Sequence, residues 1–495
     1  MNPFKKLAGQ TAIYGLPTIV ARLLNYLLVP LYTRLFQTAE YGVVTELYAY
    51  VAVLFAILTY GMETSYFRFA TNNPDKQKVF ATTIGSLIFT SLLFVGIVFI
   101  AAPNLAGAIG YASHPEYLKW FALILAADAI SSIPYAQLRL ENRPIRFAMI
   151  KITNIVVNIG LNLFFLIYIP ARITHNPELF ESSFLRHFYD PSIGVGYIFI
   201  SNLVASVITL LMLSPEIFRM KLKIDLHLLK KMLNYGWPLL IFSLAGIINE
   251  TFDRVIMKYM LPPGVDAMAQ LGIYGACYKV SILMTLFIQT YKYAVEPFFF
   301  ESSKNADAKV TYARLMNYFL IICFLIYLAV MLFIDFVILF IGEDFREGAA
   351  VIPILLWANL FLGVFYNLSV WFKLTDKTRL GALISVLGAI LTLALNIILI
   401  PVFGYMGAAW ATFACYAFMM ILSWLIGRKY YPVNYDLKSA GIYALLTITI
   451  YALSYFTDNF QPGLKYTINA ILILIFLIIV AIREGIPGKL FHKTI

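Results

Sequence analysis

The chain has 495 residues, 61% of them hydrophobic and 13% charged, with a formal net charge of +11. A water-soluble domain carries about twice that charged fraction, so the solvent of this chain is largely lipid, where backbone must close its own hydrogen bonds as helices or barrels. Apolar runs of about 20 residues exclude the strands of about ten that build a barrel.

Fourteen runs are predicted to span, in chain order 8–32, 42–69, 79–102, 117–138, 147–169, 193–213, 235–260, 270–300, 315–341, 349–372, 380–400, 405–427, 439–456 and 466–482. The expected fold is an all-α integral membrane protein. The first run is too long for the apolar core of a cleavable leader and carries Pro17 and Arg22, so it reads as a retained span. With the N-terminus placed in the cytoplasm, 26 Lys and Arg fall in inside segments, 7 outside and 4 within spans. Basic residues favour the cytoplasmic face, and one missed span would destroy this split. It predicts both termini inside and leaves the positive charge without need of nucleic acid. Cys277, Cys323 and Cys415 lie in apolar runs without metal-ligand spacing, and no metal or cofactor is expected. The longest outer segment, 170–192, reads as an amphipathic surface helix with Phe180, Phe184 and Phe188 at helical steps. No G-x-x-x-x-G-K-[ST] phosphate loop and no soluble catalytic domain is present.

The spans repeat. "AIYGLPTI" in the first and "LNYGWPLL" in the seventh share Tyr-Gly-x-Pro, at Tyr14 and Tyr235, 221 positions apart. "RLENRPIR" (139–146) matches "KLTDKTRL" (373–380) at an offset of 234, which also carries Asn162 in "LNLFFLIYIP" onto Asn396 in "LNIILIP". Span 6 opens "GVGY" (194–197) and span 12 "GYMGAA" (404–409). The expected organisation is a six-helix lobe over 1–213, a cytoplasmic linker over 214–234, a second parallel lobe over 235–427, and two further helices over 428–495. Parallel lobes of this kind are a transporter design, with substrate bound where the halves meet. Pro17 and Pro238 read either as fixed kinks or as hinges.

"NYLLVPLYTRLFQTAEYG" (25–42) followed by "LTYGMETSYFRF" (58–69) resembles the opening of O-antigen-type polysaccharide flippases, members of the multidrug/oligosaccharidyl-lipid/polysaccharide exporter superfamily. Residues 381–412 are similar to the corresponding part of the second lobe. The resemblance implies two lobes that pass a polyprenyl-pyrophosphate-linked oligosaccharide from the inner to the outer leaflet of the bacterial cytoplasmic membrane. It implies no catalysis, with membrane lipids as partners and a polysaccharide polymerase and glycosyltransferases as candidate ones. It also implies that spans 1, 2, 7 and 8 line the cavity.

Most intramembrane charges fall in those four spans, and each costs about 2.5–3.5 kcal/mol near mid-bilayer unless paired or wet. Glu250 with Arg254, and Lys292 with Glu296, are spaced i,i+4 and can pair along one helix; Asp253 adds an acid to the first pair. Arg22, which shares a helix face with Thr18 and Asn25, and Lys279 have no acid a turn away. They are the candidate ligands for a lipid pyrophosphate, since a guanidinium binds phosphate through two parallel hydrogen bonds; the bland reading of Arg22 is a salt bridge to Glu63 or Asp253. Asn25, Arg254, Glu250, Asp253, Lys292 and Glu296 complete the candidate cavity set. Glu63 and Asp128 are candidates for ion coupling, or else paired structural acids. Tyr60, Tyr66 and Tyr291 are aromatic candidates for sugar contact. Alternative functions are a lipid II flippase or a drug or metabolite antiporter of the same superfamily, and a membrane glycan polymerase or ligase.

Overall fold

In the computed structural model, the residues described are 20, 23–175, 178, 186–187, 189–218, 223–302 and 307–485, without the side chains of 293, 294, 296, 297 and 300–302. Arg22, most of the predicted first span, much of the outer segment 170–192 and the Glu296 side chain lie outside them. The described chain is helical throughout, with no strand. It runs through α1 (Val29–Leu35), α2 (Thr38–Thr59), α3 (Met62–Asn72), α4 (Lys76–Ala108) and α5 (Pro115–Leu140). Next comes α6 (Pro144–Leu163), extended through a π-turn to His175, then α7 (Gly196–Phe218) and α8 (Leu226–Met260). The remainder is α9 (Ala267–Val280), α10 (Ile282–Ser302), α11 (Ala308–Leu332), α12 (Val351–Leu368), α13 (Val370–Leu374), α14 (Thr378–Phe403), α15 (Tyr405–Tyr430), α16 (Leu437–Ser454) and α17 (Pro462–Arg483).

Eleven of the described helices are long and apolar enough to cross a membrane, or twelve if the pair α9 and α10, bent by 47°, is one span. The expectation was fourteen. Of the other two predicted spans, 8–32 falls mostly outside the described residues. The second is α8, a helix of 35 residues, which is not among the eleven.

The chain divides by packing into two compact units. The first is Met1–Lys258 with Asp266–Gly272, and the second is Tyr259–Val265 with Ile273–Ile495. In the first unit the core is built from Met62, Tyr66, Phe80 and Ile84, with Leu228 and Met232 of α8 packed into it. In the second, Trp371, Ile384, Tyr416 and Met419 form a core between α12–α13, α14 and α15.

Two backbone features explain the sequence repeats. α5 ends on Asn142 with φ +55°, and α13 ends on Asp376 with φ +56°. Beyond these residues Arg143 N–H donates to the Leu138 carbonyl at 2.9 Å and Lys377 N–H to the Phe372 carbonyl at 2.9 Å. Both are left-handed C-terminal caps that satisfy a carbonyl left open by the last turn. Asn and Asp tolerate that region better than other non-glycine residues, so "ENRP" and "TDKT" encode one turn. The second feature is Gly194 (φ +51°, ψ −121°) and Gly404 (φ +57°, ψ −138°). Only glycine takes such angles at low cost, and each precedes a new helix.

α8 runs through Pro238 without a break, so the second Tyr-Gly-x-Pro is not a helix end. Its glycine serves close packing. A Cβ on Gly236 would lie 3.0 Å from both Ser65 Oγ and the Tyr60 carbonyl. That is where α2 gives way to α3, at Tyr60 (φ +34°) and Gly61 (φ +71°). Ser65 Oγ donates to the Met232 carbonyl at 3.2 Å. Tyr235 is covered by the Arg68 guanidinium, 4.1 Å from its ring centre. The first Tyr-Gly-x-Pro lies outside the described residues.

Candidate functional site

Among the predicted site residues of the first unit, Asn25 is exposed and accepts from Asn158 Nδ2 at 3.3 Å. Glu63 is bridged to the Arg139 guanidinium of α5, which gives it a structural partner. Asp253 is buried and lies 3.8 Å from Arg254 Nε. Glu250, the acid expected opposite Arg254, is exposed. In the second unit Lys279 is half-buried at the end of α9. Lys292 is exposed, with its Nζ 4.6 Å from the Tyr366 ring centre. It lines a half-open cleft of about 430 Å³ with Tyr291, Tyr366, Asn367 and Lys373. Tyr291 donates to Asn367 Oδ1 at 2.9 Å in its wall. Tyr66 is not available to a sugar: it is buried, with Phe80 at 6.0 Å.

A charged cluster that the sequence reading passed over sits in the first unit. Glu46 of α2 is fully buried, at 0% exposure. Its carboxylate accepts from the Tyr111 hydroxyl, from Lys258 Nζ at 3.3 Å and from the Tyr50 hydroxyl at 3.3 Å. Lys258 also donates to the Ile109 carbonyl at 2.6 Å. A second buried acid, Glu216 of α7, is 2% exposed and held by Arg146 at 2.9 Å and Arg143 at 3.4 Å. Glu46 was legible as a charge inside an apolar run, whereas Glu216 falls in the segment 214–234 read as a linker. Their partners, 212 and about 70 positions away, were not legible.

Asp128 of α5 has a different setting. It is half-buried, it receives a hydrogen bond from Ser206 of α7, and the Lys151 ammonium acts on it electrostatically. Among the described residues no cation lies within 4.0 Å of its carboxylate. Around it α5, α6 and α7 turn polar faces to each other. Asn154 Nδ2 donates to Thr209 Oγ1 at 2.9 Å, Asn202 Nδ2 to the Tyr48 hydroxyl at 2.9 Å, and Lys151 Nζ lies 4.2 Å from the Tyr135 ring centre. On α6 the polar face continues to Asn162, fully buried, which accepts from the Tyr32 hydroxyl at 2.8 Å. Its counterpart Asn396 in the second unit is equally buried, with no side-chain partner among the described residues.

No group of three or more His, Cys, Asp or Glu among the described residues is arranged to hold a metal ion. The cysteines are buried thiols.

The family model described as polysaccharide biosynthesis protein matches residues 7–303, more than half of the chain. The chain belongs to that family. No curated protein sequence matches this polysaccharide biosynthesis protein. Among solved structures it is similar to the lipid II flippase MurJ in an inward closed conformation, with TM-score 0.70 and 14% identity over 96% of this chain and 99% of that one. It is similar to an inward-facing multidrug resistance MATE family transporter of the MOP superfamily, with TM-score 0.62 and 14% identity over 85% and 94%. The bent form of the Vibrio cholerae MATE transporter VcmN aligns with TM-score 0.51 and 12% identity over 89% and 99%. At these identities the likeness establishes the fold. This polysaccharide biosynthesis protein is a multi-pass membrane protein with the fold of that exporter superfamily.

Proposed function

We propose that the protein is a flippase that moves a polyprenyl-pyrophosphate-linked oligosaccharide from the inner to the outer leaflet of the bacterial inner membrane, with both termini in the cytoplasm. The observation that carries the reading is the family match over residues 7–303, joined to a fold shared over nearly its whole length with the lipid II flippase MurJ. The matched half and the 381–412 segment are read as two lobes that alternate access by rocking.

Arg22 and Lys279 are the proposed pyrophosphate ligands. Asn25, Glu250, Asp253, Arg254, Lys292 and Glu296 are lesser members of the set. The Lys292 cleft supports a cationic contact with a phosphorylated headgroup. Glu63, bridged to Arg139, is proposed as structural, which leaves Asp128 as the coupling candidate. A polysaccharide polymerase and the glycosyltransferases that build the unit are the proposed protein partners. The second reading is lipid II as cargo, favoured by a likeness to MurJ that extends over 96% of the chain, beyond the twelve repeated spans.

The deciding experiment removes the protein from its host and identifies the lipid-linked glycan that accumulates. An undecaprenyl-linked repeat of a surface polysaccharide supports the first reading, lipid II supports the second, and no accumulating lipid-linked glycan overturns both. In the complemented strain Arg22→Ala abolishes surface glycan at normal protein abundance. Arg22→Lys retains part of it, because the ammonium cannot make the paired hydrogen bonds of the guanidinium; full activity in either variant removes the anion role.

A further inference from the structure

Asp128, Ser131 and Tyr135 stand at i, i+3 and i+7 and therefore share one face of α5. The facing side of α7 brings Ser206 and Thr209, and that of α6 brings Lys151 and Asn154. Thr209 is already committed: its hydroxyl donates to the Ala205 carbonyl at 2.9 Å and accepts from Asn154. Tyr135 Oη lies beside it, and among the described residues neither Tyr135 Oη nor Ser131 Oγ has a well-formed hydrogen-bond partner. Both residues are buried, at 7% and 2% exposure. Unpaired buried hydroxyls cost about 1–3 kcal/mol each, so two of them on one face next to a carboxylate have capacity for a small hydrogen-bonding ligand.

The chemistry of that ligand follows from the charges. One carboxylate is present, with Lys151 in electrostatic range. From α2 the facing titratable group is Tyr48; from α7 the groups beside the site are neutral hydroxyls and amides, with Glu216 and its partners Arg143 and Arg146 about three turns further along; on α5 the Glu63–Arg139 pair with α3 lies about three turns further along. α4 carries its charges, Lys76 and Lys78, at its first turn. A divalent ion needs more anionic oxygen than this, and a fixed monovalent ion would stand against the lysine. A proton needs one carboxylate and donors or acceptors around it. An acid inside a helical bundle without an ion pair is also the group that neutralises by taking one up.

We propose that Asp128 is a proton-loading site of the first unit, in which its carboxylate takes up one proton to become a neutral carboxyl and releases it again, with Ser131, Tyr135 and Ser206 solvating the bound form. The seam through Thr209 and Asn154 to Lys151 gives the site its path toward the end of α6. The role of this site in transport rests on the flippase reading; the loading itself does not.

The test is infrared difference spectroscopy of the purified full-length protein in nanodiscs, without cargo, recorded across pH. Wild type gives a protonated-carboxyl stretch that appears on acidification, and Asp128→Asn removes it. Ser206→Ala, which leaves the acid in place, moves the band to higher frequency because the carboxyl loses a hydrogen-bond partner. An identical spectrum in Asp128→Asn overturns the proposal. So does a band present at every pH, which makes Asp128 a permanently neutral structural acid, or one absent at every pH. A second arm measures glycolipid flipping in proteoliposomes with and without a pH gradient. Wild type that moves no glycolipid refutes the flippase reading while leaving the proton site standing. Wild type that flips, but with a gradient response equal to that of Asp128→Asn, refutes the coupling role of the site.

Discussion

At the scale of single residues, the buried acids divide by what faces them. Glu46 is enclosed by Tyr111, Tyr50 and Lys258, and such a pair is costly to break on one side. Lys258→Met leaves a fully buried carboxylate without its cation and is expected to cost about 3–5 kcal/mol. Glu46→Leu leaves Lys258 without its carboxylate and costs about 3 kcal/mol, at the low end because Lys258 keeps the Ile109 carbonyl. The double replacement Glu46→Leu with Lys258→Met is expected to lie within about 1 kcal/mol of wild type, since both charges leave together. Thermal unfolding of the four proteins in detergent, treated as a double-mutant cycle, measures the coupling; additive effects would show that the pair contributes nothing. The sequence reading named Glu63 and Asp128 and passed over Glu46, although all three are acids within predicted spans. What separates them is the neighbour on another helix: Arg139 for Glu63, Lys258 for Glu46, and a hydroxyl for Asp128. Spacing along one helix exposes only candidate partners a turn away, so it could offer Glu250 to Arg254 and could not offer Lys258 to Glu46.

At the scale of elements, α8 shows how a local signal acquires meaning from its surroundings. It begins on Asp225, whose carboxylate accepts from Leu228 N–H at 2.9 Å and pairs with Lys78 Nζ of α4 at 2.5 Å. The Lys78 ammonium, with help from that N–H, holds the Asp225 carboxyl down to about 2. An unfolded aspartate titrates near 3.9. The contribution of Asp225 to stability is therefore complete above about pH 4 and is lost as pH falls toward about 2. Melting temperatures taken at about pH 5 and about pH 3 should fall more for wild type than for Asp225→Asn, and equal falls would remove the cap from the account. Further along, Gly236 meets the Tyr60 carbonyl and Ser65 across the α2–α3 break. Gly236→Leu has no room there and should destabilise by about 1–3 kcal/mol, whereas Trp237→Leu, at an exposed position, should fall within about 0.5 kcal/mol of wild type. Proline in "YGWP" drew attention to bending. The helix absorbs the proline, and the glycine is what the neighbouring backbone requires. A proline announces itself in sequence because its ring acts on its own chain. The need for a missing Cβ comes from a backbone some 170 positions away and has no local mark.

At the scale of the whole molecule, the repeat is written most plainly in its turns. Asn142 and Asp376 adopt the same left-handed angle, 234 positions apart, and the next residue of each closes the same hydrogen bond five residues back. Packing against different neighbours would not produce one backbone geometry twice at a constant offset. A shared local code does, and this is why the two turns were readable from residue order while the buried ion pairs were not: turn chemistry is local, and a buried pair is assembled from afar. Asn142→Gly and Asp376→Gly each relieve the left-handed strain at the cost of a more flexible unfolded chain, so each should be neutral or stabilising by up to about 1 kcal/mol. Asn142→Val and Asp376→Val place a β-branched side chain in that region and should each cost about 1–2 kcal/mol. The two turns are judged by comparing the changes in melting temperature of the four variants. Matching signs and sizes at the two positions support two copies of one structural unit. Opposite signs at 142 and 376 would show that the turns share angles without sharing energetics, and the repeat would then be a likeness of sequence rather than of design.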